Sequence, residues 1–109
     1  MKTDNRSREI ETFCLALVER YRPVRITLFG SHATGSARQD SDVDLLVELA
    51  NVGSGLSTAA GIVREMKPRF SVDLLVRTPR QVKERLHLGD PFMAEVVSTG
   101  KVLYETTDR

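Results

Sequence analysis

The sequence predicts an α/β domain, a small mixed sheet flanked by helices. Three observations carry this. Apolar residues recur with helical period in some segments and as short continuous runs in others. The two kinds of segment alternate along the chain, which is the pattern of helices packed on a sheet. The run Val-Asp-Leu-Leu-Val occurs twice, at 43–47 and 72–76, with room for a helical crossover between the copies.

The elements follow in order. Ile10, Phe13, Cys14, Leu17, Val18 and Tyr21 recur at helical spacing and predict a helix over 6–21, broken by Pro23. Cys14 lies on that stripe and reads as a small core residue. Residues 24–29 predict a strand ending at Gly30. The polar segment GSHATGSARQDS reads as a loop with one helical turn. Residues 43–49 predict a second strand, apolar on both faces beyond its opening acids and therefore central. A helix over 56–67 should bury Leu56, Ala59, Ala60, Val63 and Met66, and Pro68 ends it. Residues 72–76 predict the third strand. Thr78-Pro79 and Asp90-Pro91 are both helix starts, a capping residue before a proline. The first of these helices stops at Gly89 and the second covers 92–98 before Gly100. Residues 101–105 predict an edge strand or a tail packed on the sheet.

Composition sets limits. The 109 residues fit one domain, 1–109, with a mixed charge pattern and 40% apolar residues. No apolar run is long enough to span a bilayer. The polar start MKTDNRSREIE lacks the apolar segment of a secretory signal, so a cytoplasmic location is expected. A single cysteine rules out an intrachain disulfide and a cysteine-based zinc cluster. The net charge of +1 argues against binding to extended nucleic acid, which needs many uncompensated phosphate contacts.

The chemistry concentrates in the strands. Two parallel VDLLV strands in register would set Asp44 beside Asp73, and Asp42 shares the face of Asp44 by period-two geometry. Carboxylates so gathered repel one another and stay ionised together only if cations offset the repulsion. Magnesium suits such a site, since a few carboxylates plus substrate phosphates commonly hold it. A lone Asp-x-Asp is more often a strand cap or an ion-pair partner, and the third acid in an apolar strand is what separates this case. Gly30-Ser31 supplies the other half. Glycine lets the backbone approach a ligand, and amides with a serine hydroxyl after such a turn can hold phosphate oxygens.

The segment GSHATGSARQDSDVDLLVEL resembles the signature of the DNA polymerase beta-like nucleotidyltransferase superfamily. It is closer still to the minimal nucleotidyltransferases of bacteria and archaea: Gly-Ser, ten residues, then Asp-x-Asp. The preceding helix, the second VDLLV and the ending GKVLYE extend the resemblance over most of the chain. The resemblance implies the polymerase beta-like fold, with Gly30 and Ser31 as nucleotide-binding residues. It makes Asp42, Asp44 and Asp73 metal-holding and catalytic, with two magnesium ions and ATP as substrate. Asp73 would also help activate the acceptor hydroxyl. Arg38 is a further nucleotide-binding candidate, able to reach a triphosphate. Where close relatives often carry arginine, this chain has His32 and Thr34. Asp40 and Ser41 read as turn formers, and His87 as helix surface.

Larger members of the superfamily carry extra domains that hold the acceptor. The resemblance to the minimal family instead implies a separate helical partner of the HEPN type. The chain would then be the antitoxin of a toxin–antitoxin pair, moving AMP to a tyrosine of the toxin. Two alternatives stay open: a non-catalytic module that neutralises a partner by contact, and transfer to a small molecule by a homodimer with the acceptor between subunits; a homo-oligomer is possible in either case.

Overall fold

In the computed structural model, which describes residues 5–106, four strands and five helices follow one another in the expected order, with two helices in succession before the last strand. Helix α1 spans Asn5–Tyr21 and strand β1 Arg25–Phe29; the short helix α2, Ser31–Thr34, leads through a loop to β2, Val43–Glu48. Then come α3 (Gly55–Met66), β3 (Val72–Arg77), α4 (Pro79–His87), α5 (Pro91–Thr99) and β4 (Lys101–Glu105). The polar N-terminal stretch is described only from residue 5. Among the described residues no helix is long and apolar enough to cross a membrane.

The sheet runs β3-β2-β1-β4. β1 is antiparallel to both β2 and β4, while β2 and β3 are parallel across the α3 crossover. The sheet is therefore mixed, β2 is internal, and β4 is an edge strand, as the sequence predicts.

Alternation along the strands gives the sheet two different faces. Val43, Leu45, Val47, Ile26 and Leu28 turn to one side and join Ile10, Phe13 and Leu17 of α1 and Ile62 of α3 in the main core. Leu46 turns to the other side, where Val82 of α4 and Met93 and Val96 of α5 cover it with Phe29 and Leu75. Asp44, two residues from Leu46, shares the α4/α5 side. Cys14 is buried in the main core, and burial first, with Glu11 second, pushes its thiol up to about 11. It is a packing residue that stays protonated, as expected.

Helix α3 corrects one expectation. Its buried residues are Ala59 and Ile62, with Met66 packed against the core, whereas Leu56 is 84% exposed and Ala60 is also exposed. Gly55 explains the rotation. A Cβ there would lie 2.6 Å from the Val76 carbonyl oxygen, so the helix start abuts the end of β3 on that side and Leu56 is turned outward.

Candidate active site at the carboxylate end of the sheet

The parallel pairing of β2 and β3 runs in perfect register, Val43 with Val72 through Glu48 with Arg77. Asp44 and Asp73 are therefore direct neighbours, on strands that lie about 4.8 Å apart. Asp42 is exposed just before β2, Asp73 is exposed, and Asp44 is half-buried between them. Burial pushes the Asp44 carboxyl above the ordinary carboxylate range; Asp73 and then Asp42 push it further, and His32 opposes them. The three acids thus share one electrostatic site, in which Asp44 carries the strain.

Gly30 completes this corner. Phe29 pairs with Asp44 across the β1–β2 ladder, and the chain then turns through Gly30 at φ +76°. A Cβ on Gly30 would fall 2.3 Å from Asp44 Oδ2. Only glycine allows both the left-handed turn and the approach of this carboxylate to the backbone. The first turn of α2 closes with the amides of Ala33 and Thr34 donating to the Gly30 carbonyl, at 3.0 and 3.2 Å. The Ser31 and His32 amides stand ahead of those bonds, where helices leave donors for an anion.

The loop from α2 to β2 is held by its own polar groups. The Arg38 amide donates to Ser41 Oγ at 2.8 Å, and the Ser41 amide donates back to the Arg38 carbonyl at 3.0 Å. His32 Nε2 lies 3.2 Å from the Ser41 carbonyl oxygen. A carbonyl only accepts, so Nε2 carries the proton and the imidazole fastens α2 to the residue before Asp42. Ser41 shapes the turn as expected, and His32 is a fastener beside the site. Arg38 is exposed on this loop, outside the cavity described next.

A cavity of about 410 Å³ opens next to Asp44, bounded by Gly30 and Ser31 on one side and by Phe92 and Glu95 of α5 on the other. Neither α5 residue stands out in the sequence. The Asp90-Pro91 cap announces the helix, but nothing local announces that its first turns lie over Phe29.

Among the described residues no group of three or more His, Cys, Asp or Glu side chains forms a ready-made metal cage. The donor set nonetheless fits magnesium. It offers hard carboxylate oxygens on neighbouring strands, and their mutual repulsion is recorded in the raised Asp44. Magnesium needs only one or two carboxylates when substrate phosphates complete its shell.

The family described as "Nucleotidyltransferase domain" matches residues 8–104. No curated protein matches the chain. Among solved structures, one described as a toxin–antitoxin with AMP-PNP is 24% identical, with TM-score 0.59, over 89% of this chain and 74% of that one. A putative nucleotidyltransferase from Sulfolobus solfataricus is 17% identical, with TM-score 0.63, over 90% and 78%. A mutant of the toxin–antitoxin MntA-HpeT is 24% identical, with TM-score 0.59, over 89% and 73%. These likenesses concern the fold.

Proposed function

Starting from the fact that the chain belongs to the nucleotidyltransferase domain family, we propose that it moves AMP from ATP to a hydroxyl of a partner toxin, as the antitoxin of a pair. The observation that carries the proposal is the register of β2 and β3, which sets Asp44 beside Asp73 while Gly30 admits the Asp44 carboxylate against the backbone. Two fold neighbours are toxin–antitoxin proteins, one of them with AMP-PNP, an adenine nucleotide analogue. They support adenine as the base and a toxin as the partner. By resemblance the partner is a HEPN-type helical protein and the acceptor a tyrosine.

In this reading the Ser31 and His32 amides and the Ser31 hydroxyl hold phosphate oxygens of the donor. Arg38 reaches the outer phosphates from its exposed loop. Asp42, Asp44 and Asp73 would hold two magnesium ions, whose chemistry when bound would be to offset the charge of the phosphates and of the leaving oxygen. Asp73 accepts the proton of the acceptor hydroxyl. The freed oxygen bonds to the α-phosphorus, the bond from that phosphorus to the bridging oxygen breaks, and pyrophosphate departs. Positioning and charge stabilisation account for most of the acceleration in such transfers.

The test incubates the full chain with magnesium, ATP labelled in its AMP portion, and the product of the neighbouring gene, followed by mass spectrometry. One AMP on a partner tyrosine is expected, abolished in the Asp42→Asn/Asp44→Asn variant. Transfer that persists in that variant would overturn the metal assignment. Full neutralisation of the partner by the same variant, without transfer, would replace catalysis by simple contact.

A further inference from the structure

Resting on the nucleotidyl-transfer reading, we infer that the cavity between α2 and α5 receives the nucleoside half of the donor, its base against Phe92 and its ribose hydroxyls on Glu95. The cavity is continuous with the phosphate end of the site, since Gly30, Ser31 and Asp44 line it. At about 410 Å³ it falls within the usual range of small-ligand pockets.

Its position favours donor over acceptor. The acceptor oxygen must approach opposite the departing pyrophosphate, near the base Asp73. Asp73 is on β3, whereas the cavity lies on the β1 side of Asp44 and excludes Asp73 from its lining.

The side chains suit a nucleoside. Phe92 is 53% exposed and lines the cavity, so about half of its surface is free to meet a ligand there. Its ring meets Phe29 edge to face, with centroids 5.9 Å apart and planes at 83°. That contact fixes the ring while leaving much of it uncovered. An aromatic surface at the mouth of a phosphate site offers a stacking platform to a base. Glu95 follows one turn later on the same helix and lines the same cavity. Its carboxylate only accepts, so it complements hydroxyl donors such as those of ribose. Buried Met93 and Val96 anchor this turn of α5 to the sheet, so the backbone that carries both groups is fixed beside the cavity.

Calorimetry of the full chain with magnesium tests this, using ATP, 2′-deoxy-ATP and inorganic tripolyphosphate. Phe92→Leu keeps the apolar packing on Phe29 but removes the platform; it should weaken ATP about tenfold and leave tripolyphosphate unchanged. Phe92→Trp should restore ATP affinity. Glu95→Ala should remove a preference of about tenfold for ATP over 2′-deoxy-ATP. If both Phe92→Leu and Glu95→Ala bind ATP as the wild type does, while Asp42→Asn/Asp44→Asn loses it, this inference falls and the transfer reading stands; Phe92 would then be left as a protein contact. If the wild type binds neither ATP nor tripolyphosphate, or binds them independently of the aspartates, the reading and the inference fall together.

Discussion

At the scale of single residues, Asp44 trades stability for reactivity. Its carboxyl is raised by burial first and by Asp73 and Asp42 next, so the folded chain holds that proton more tightly than the unfolded chain does. The sign follows from linkage. The folded state binds more protons between the unfolded and folded pKa values, so stability falls as pH rises through that window and the full penalty is present above it. Asp44→Asn removes the charge without changing the shape that Gly30 accommodates. It is expected to melt at a higher temperature than the wild type at pH 7, with the difference shrinking as the pH is lowered toward the ordinary carboxylate range. Thermal melts across pH without divalent cations check this; an unchanged or lower melting temperature at pH 7 would contradict it. The same variant should lose transfer, because a carboxamide relieves Asp73 of repulsion but no longer balances a cation. Neutralising one of several crowded acids helps the fold, and crowding them is useful only to something that brings positive charge.

At the scale of elements, local chemistry sets boundaries and tertiary contact sets faces. Helix α4 begins with a full capping box: Thr78 accepts from the Gln81 amide at 3.0 Å, and the Gln81 side chain accepts from the Thr78 amide at 2.8 Å. Thr78→Ala is expected to cost about 1 kcal/mol, a drop of roughly 4–8 °C in melting temperature for a domain of this size. Helix α5 is capped by Asp90, which accepts from the Phe92 amide at 2.9 Å and is paired with Arg85. These two starts were legible because a cap and a proline are adjacent in sequence. The parallel register was legible because the same five residues occur twice, which brought Asp73 to Asp44 with no other information. The buried face of α3 was not legible. Its apolar residues, Leu56, Ala59, Ala60, Ile62, Val63 and Met66, are spread around the helix, and the close approach of Gly55 to the end of β3 goes with Ala59 and Ile62 facing inward and Leu56 outward. Phe92 and Glu95 were missed for a related reason, since their role depends on where α5 crosses the sheet.

At the scale of the whole molecule, the two ends of the sheet differ in how their acids are balanced. At the Gly30 end uncompensated carboxylates converge. At the other end Arg25 of β1 bridges its cross-strand partners on both sides, Glu48 of β2 at 3.0 Å and Glu105 of β4 at 2.8 Å. Glu48 is 1% exposed, so its charge is tolerable only because Arg25 is there. This clamp ties three strands together, and in particular holds the edge strand β4, whose ladder with β1 is irregular between Ile26 and Thr27. In sequence, Arg25 and Glu48 look like polar residues at strand ends, and nothing local shows that the strands bury one of them. Arg25→Ala strands a buried carboxylate and should cost about 3 kcal/mol, the low end for a broken buried pair because Arg25 is one-third exposed. Arg25→Met combined with Glu48→Leu replaces the pair by apolar contact and should recover most of that loss. Urea unfolding measures both. Because the clamp lies at the opposite end of β1 from Gly30, the folded fraction of Arg25→Ala should bind magnesium ATP with wild-type affinity. A loss of affinity in protein shown to be folded would mean that the clamp also sets the register on which Asp44 and Asp73 depend. The double variant separates those cases, since it removes the charges while keeping the strands packed.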